Sequence, residues 1–231
     1  MSNMSSIHEA EASPATRLPV SPANPVMPHG GSTADSAALA ESYRTVRRCT
    51  EALCEPLASD DYVVQSMADA SPVKWHLAHT TWFFETFVVA PHLPGYRLFN
   101  PQFRSLFNSY YQSVGARWPR SQRGMLSRPT VVDVYAYRAC VDKHVAQLLR
   151  TAGTETLKKI ATTVALGLHH EQQHQELVLT DLKHAWAANP LNPVYNEAPL
   201  ETGTPSRQSW LAFPERLAWI GHDGSGFAFD N

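Results

Sequence analysis

The run HHEQQHQE, residues 169–176, constrains this chain more than any other stretch, because it lies inside a long segment that reads as one helix. His170 and His174 stand four residues apart, which on an α-helix places both imidazoles on one face, one turn apart. Two side chains of a single helix can then reach the same metal ion. His169 lies five residues before His174, and at about 100° per residue it points roughly 140° away, outside such a site. Two neutral imidazoles rarely hold a metal alone, so a third ligand has to come from another helix. The segment WHLAH, residues 75–79, offers His76 and His79.

A chain of 231 residues accommodates one large domain or one and a half ordinary ones. With 43% hydrophobic residues a sizeable core can form, and a net charge of −2 gives no support to nucleic-acid binding. The three cysteines, Cys49, Cys54 and Cys140, show neither CxxC spacing nor an even count, which fits a reduced cytoplasmic interior better than a disulfide scaffold. Without an apolar run of about 18 residues, no membrane span is expected. Nor does the N-terminus show a basic stretch followed by an apolar one, so no signal peptide is expected.

The organisation predicted along the chain is helical. Residues 1–31, rich in Ser, Ala and Pro, read as a disordered leader. A first helix is expected from Ser32 to about Leu57, capped by Ser32 with Asp35 in its first turn. The second should start at Ser71-Pro72 and end near Pro91 or Pro94, and a long irregular connection over 92–129 should follow. Thr130, with Asp133 three residues on, starts a third helix reaching about Ala152; the fourth runs from about Thr156 to Ala188 and stops at Asn189-Pro190. Four helices with a long crossover predict a mainly α protein, a four-helix bundle over 32–189, whose metal sites would be built from facing helices. Residues 190–208 read as a linker. In 209–231 apolar residues alternate with Gly and turn formers, so that segment reads as the truncated start of a β-rich domain or, failing that, as a hairpin folded back on the bundle.

Each histidine has a plainer reading as a hydrogen-bonded core residue. Two at i,i+4 facing inward with Ile160, Val164, Gly167 and Val178, plus a candidate on another helix, favour a metal. His79 shares a stripe with Trp75, Trp82 and Phe83 and is the preferred third ligand, while His76 lies off that stripe, nearer the boundary, and is the alternative. Glu171 and Glu176 could complete a two-histidine, one-carboxylate site. They sit about 100° from His170 and about 200° from His174 around the helix, so neither is well placed.

The segments SPVKWHLAHTTWFFE, NSYYQSVG, PRSQRGMLSRP, VYAYRACVD and HHEQQHQELVLTDL occur in that order. Together they resemble the N-terminal DinB-like bundle of the ergothioneine-biosynthesis sulfoxide synthases (EgtB). LAWIGHDGSGFAFDN resembles the start of that family's second domain, which is similar to the formylglycine-generating-enzyme/sulfatase-modifying fold. The resemblance covers about residues 33–231. It implies a mononuclear non-haem iron(II) enzyme that uses O2 to join a cysteine-containing thiol, γ-glutamylcysteine or cysteine, to hercynine (N-α-trimethylhistidine) as a sulfoxide.

It further implies Fe(2+) on His79, His170 and His174, hercynine contact by Gln173, and the thiol substrate's carboxylates gripped by Arg120 and Arg123. Guanidinium pairs carboxylate bidentately, so two of them orient a flexible substrate. Without the resemblance an Arg-rich loop reads as a solvated surface. The family's catalytic tyrosine and most of its hercynine cradle would lie beyond residue 231, so the chain is expected to be an incomplete, inactive fragment lacking its C-terminal domain. Tyr110 and Tyr111 could line the thiol side. Two other readings stand beside this one: a DinB-family, thiol-dependent zinc or nickel transferase or hydrolase, and a non-catalytic bundle. Closed structural sites want four ligands, and three well-placed ones favour an open, reactive site.

Overall fold

The computed structural model describes residues 33–111, 114–197, 203, 206–224 and 227–228. The expected leader over 1–31 and the expected cap Ser32 lie outside the described residues. Four long helices form the frame: α1 Thr33–Cys54, α2 Val73–Phe84, α5 Val131–Thr151 and α6 Thr154–Ala187. Helix α1 packs on α5 and α6, and α2 packs on the same pair, so α1 and α2 stand opposite one another across the bundle. The four-helix bundle is the fold that the sequence predicts. No described helix is long and apolar enough to cross a membrane.

Helix α2 occupies the middle. All twelve of its residues are buried, which is what a helix without a solvated face must do. Its polar side chains are satisfied locally: Thr80 and Thr81 donate to Leu77 O, and Lys74 Nζ donates to Leu126 O at 2.7 Å. Helix α2 begins at Val73 with Pro72 as its N-cap, and Ser71 does not cap it. The Pro72 carbonyl accepts from the Trp75 and His76 amides, while the Ser71 amide donates to Asp181. At its far end α2 runs into a π-helical turn, Glu85–Val89, and a single turn α3, Ala90–His92. There Glu85 accepts hydrogen bonds from the Tyr96 and Tyr137 hydroxyls and the Phe99 amide, tying the long connection to α5.

Helix α5 starts as expected, with Thr130 and Asp133 forming a reciprocal capping box. Gly167 lets α6 come close to α2. A Cβ there would stand 2.5 Å from Phe84 Cε1 and 2.8 Å from Phe83 Cε1, a clash that no side-chain-bearing residue avoids without a shift. Trp82, Phe84, Leu77, Ile160 and Leu168 fill the interior, each burial of this kind stabilising the fold by about 1.5–3 kcal/mol.

The connection over 92–129 is more ordered than its composition suggests. It contains α4, Phe103–Leu106, and a 3-10 turn, Arg120–Met125, and Phe103 and Phe107 are buried in the common core. The chain divides into two units, Met1–Glu197 and Ala198–Asn231. Residues 190–197, read as linker, lie in the first unit, where the Tyr195 hydroxyl donates to Leu53 O at 2.7 Å. In the second unit, the described residues of 206–224 form no strand, and Trp210, Leu211, Phe213, Leu217, Trp219 and Ile220 are exposed. A strand needs a neighbour for its backbone N–H and C=O groups, and the described residues supply none.

Candidate metal centre

Where α2 faces α6, the ring nitrogens of His79, His170 and His174 lie within 4.8 Å of one another. His79 comes from the middle of α2; the other two come from successive turns of α6, as the four-residue spacing requires. His79 and His174 are buried, and His170 is half-buried. His169 is not part of the group.

The hydrogen bonds around the trio say which nitrogens are free to bind. His79 Nδ1 donates to the Phe107 carbonyl at 2.6 Å, so its neutral ring carries a bare lone pair on Nε2. That Nε2 stands 3.2 Å from His170 Nε2. Two imidazole nitrogens bound to one ion at about 2.0–2.1 Å would be separated by about 3.0 Å at right-angled coordination and about 3.4 Å at tetrahedral. The observed spacing falls between. His170 Nδ1 is buried and has no hydrogen-bond partner among the described residues. The donor set, its spacing and its burial fit a metal ion bound through three imidazoles.

Ring stacking sets the orientation. The His79 ring lies parallel to Trp75 at 4.5 Å and to Trp82 at 5.6 Å, between the two indoles. Burial holds all three imidazoles below the ordinary histidine range, His170 at about 4, and the neighbouring rings push His79 and His174 further the same way. The neutral form, the one that ligates, therefore dominates at neutral pH.

His76, taken from the sequence as a boundary residue and the alternative ligand, is neither. It is buried, with Nδ1 2.8 Å from His174 Nδ1 and Nε2 3.1 Å from Asp181 Oδ2. The boundary reading fails because α2 has no solvated side from which to measure a stripe. Neither carboxylate considered is a ligand: Glu176 is exposed, and Glu171, fully buried, pairs with Arg47 and Arg138.

The two arginines of the 3-10 turn differ. Arg123 is buried, its guanidinium carbon 3.3 Å from the centre of the Trp75 ring, and it donates to Ser71 Oγ at 2.8 Å and Ser109 Oγ at 3.3 Å. No carboxylate among the described residues pairs with it, and burial, helped by the charge of Arg120, lowers it to about 10. Arg120 is exposed. Gln173 is exposed on α6 between the two histidine ligand positions, Tyr110 is exposed, and Tyr111 is half-buried against Trp82, Phe83 and Phe87.

A family model, the DinB superfamily, matches residues 42–178, more than half of the 231-residue chain. The chain belongs to the DinB superfamily. No curated protein matches it. The matched region of this DinB-superfamily bundle spans most of α1, the long connection and α6 as far as Val178, so it takes in all three histidines. It stops three residues short of Asp181.

Asp181 and the Phe107 carbonyl, which hold the histidines in place, escaped the sequence reading. Asp181 had a signal: seven residues from His174, it falls within about 20° of the same helix face. Phe107 had none, because a carbonyl acceptor leaves no trace in residue type.

Proposed function

We propose that this bundle is the metal-binding part of a non-haem iron(II), O2-dependent sulfoxide synthase of ergothioneine biosynthesis, joining hercynine to cysteine or γ-glutamylcysteine. The observation that carries the reading is one arrangement: three converging imidazoles beside a buried guanidinium that has no carboxylate partner among the described residues. The first is a site for a borderline metal with open positions, and the second asks for an anionic substrate group next to it.

In this reading His79, His170 and His174 would hold Fe(2+), which would supply open coordination positions and redox activation of O2, while the electrons that reduce O2 overall come from the thiol and hercynine. Arg123, assisted by Arg120, binds the substrate carboxylate, fixing the thiol relative to the ligand nitrogens. Gln173 contacts hercynine. Trp75, Trp82 and Phe83 keep water from the buried side of the trio. The overall reaction balances as thiol plus hercynine plus O2 giving sulfoxide plus water. One C–S bond forms, one oxygen atom goes to sulfur, and the thiol and ring hydrogens leave in water.

The test is anaerobic loading with Fe(2+) followed by nitric oxide as an O2 surrogate. One iron per chain and an iron–nitrosyl EPR signal that cysteine perturbs, with the perturbation lost in Arg123→Leu, support the reading. In the full-length gene product, hercynine and thiol should yield the sulfoxide by mass spectrometry under air. Preferential retention of zinc or nickel with thiol-dependent group transfer and no sulfoxide would overturn it in favour of a DinB-type transferase or hydrolase, for which the same three imidazoles would serve.

A further inference from the structure

One buried pair beside the trio is left unused by that reading. His76 and Asp181 adjoin His174 and lie outside the group of His79, His170 and His174. Asp181 Oδ2 accepts from the Ser71 amide at 2.8 Å and stands 3.1 Å from His76 Nε2; His76 Nδ1 stands 2.8 Å from His174 Nδ1. Two Nδ1 atoms 2.8 Å apart share a single hydrogen, and an imidazole ligates in its neutral form, which carries one proton.

The protons can then be assigned in sequence. A carboxylate only accepts, so His76 places its single proton on Nε2, toward Asp181. Its Nδ1 is left as an acceptor. His174 must supply the proton between the two Nδ1 atoms, which puts its own proton on Nδ1 and leaves Nε2 bare. With the roles reversed, His174 would carry Nε2–H and present a donor where a ligand is needed.

We propose that Asp181 and His76 form a positioning relay that fixes His174 in its Nδ1–H tautomer and thereby sets the affinity of a metal held through Nε2. The relay rests on the trio binding a metal and is independent of whether that metal is iron or the reaction a sulfoxide synthesis. His79 reaches the same end by a different device, a main-chain carbonyl at Phe107, while His170 has no such support at Nδ1. Ligands anchored in this way lose roughly 10–100-fold in metal affinity when the anchor is removed.

Zinc is the probe, because it is diamagnetic and takes imidazole readily. In 15N-histidine-labelled protein, long-range proton–nitrogen correlations report which nitrogen of each ring carries hydrogen and which carries metal. The expected pattern for His174 is Nδ1–H, slow to exchange with solvent, and a zinc-bound Nε2. Competition against a chelator should show His76→Phe and Asp181→Leu each binding zinc 10–100-fold more weakly, and the double variant no worse than the weaker single one. Asp181→Asn keeps a carbonyl acceptor for His76 and should recover most of the affinity, which loss of packing alone would not predict.

Zinc on His174 Nδ1, an Nε2–H signal there, affinity within twofold of wild type in Asp181→Leu, or losses that multiply in the double variant would each overturn the relay. If His76→Phe does not fold, the wild-type tautomer and the Asp181→Asn and Asp181→Leu pair still decide it. Absence of zinc on the wild-type trio would sink the metal reading itself, whereas an intact relay without thiol-dependent chemistry would sink only the sulfoxide synthase.

Discussion

Two polar clusters share helix α6 one residue apart, and they are built on opposite principles. Glu171 and Gln175 face α1 and α5, where the Glu171 oxygens accept from Arg47 at 2.8 Å, Arg138 at 2.6 Å and Thr50 at 2.7 Å. Arg47 also reaches Asp142 on α5 and Thr81 on α2, so one ionic network ties all four long helices together. His170 and His174 face α2, and there ring nitrogens of three imidazoles converge within 4.8 Å of one another. The first cluster neutralises its own charges within the protein. The second gathers ring nitrogens suited to a metal ion. A buried group's polarity says little about function; whether its partners come from the protein does.

That contrast is tested most severely by deletion on each side. His170→Ala should take metal content from one per chain to none by metal analysis, while the metal-free protein keeps its fold. The His170 ring is half-buried and, among the described residues, hydrogen-bonds only to His79, so the thermal midpoint should move by less than about 4 °C, the equivalent of roughly 1 kcal/mol in a chain of this size. His169→Ala should leave metal content unchanged. Glu171→Ala should do the reverse. Two buried guanidinium groups lose their one fully buried counter-charge and, among the described residues, keep only Asp142 and Glu51, nearer the surface, a loss of about 3–5 kcal/mol by denaturant titration, enough to unfold a marginal domain. Metal loss in both variants without loss of stability in Glu171→Ala would erase the distinction.

Arg123→Lys keeps the charge but loses the planar fork stacked on Trp75. Thiol binding, read from the perturbation of the metal spectrum, should weaken by about 1.5–3 kcal/mol, the range for hydrogen bonds to charged groups. Exposed Arg120→Leu should cost less than Arg123→Lys, and neither should change metal content. Gly167→Ala should disturb both clusters together, because the added methyl forces α6 away from Phe83 and Phe84. Overpacking of this kind costs about 1–3 kcal/mol and would appear as a lower denaturation midpoint with weakened zinc binding.

Acid separates the clusters by pH window. Burial keeps folded His170 near 4 against an ordinary 6.5, so between those values the unfolded chain binds more protons and stability falls as pH drops. Burial opposes ionisation of Glu171, but Arg138 and Arg47 outweigh it and hold the carboxyl near 2 against an ordinary 4.5. Its contribution is complete above 4.5 and is lost as pH falls toward 2. Metal-free protein should thus lose stability in two successive stretches, and Glu171→Gln should remove the lower one. Saturating zinc should deepen the upper one, because zinc and protons compete for the same nitrogens in the folded state. Denaturation midpoints across pH 2–7 supply the readout.

The metal side of α6 was legible in the sequence because helical geometry alone relates His170 to His174. The capping box at Thr130 and Asp133 was legible for the same reason: both partners lie within one turn. Glu171 was set aside as a ligand from its helical angle, yet its counter-charges on α1 and α5 could not be named, since they lie 124 and 33 residues away. His76 was misplaced because α2 is buried all round, and a stripe argument needs a polar face for contrast. The strand-like pattern of 209–231 is real as a pattern, but alternation only marks which side chains share a face; the hydrogen bonds that make a strand come from a neighbour.

What the sequence determined by itself is what has a short period: four helices, the capped start of α5, two imidazoles on one face and the inward side of α6. Tertiary structure alone decided that the preferred His79 meets the two α6 imidazoles, that Arg123 is buried against Trp75 while Arg120 is not, and that Asp181 and His76 adjoin His174. These depend on how α2, the long connection and α6 pack, with contacts such as His79 to His170 spanning 91 residues. Local periodicity fixes directions about one helix axis. The distance between two axes, on which every one of those contacts depends, is set by the side chains packed between them.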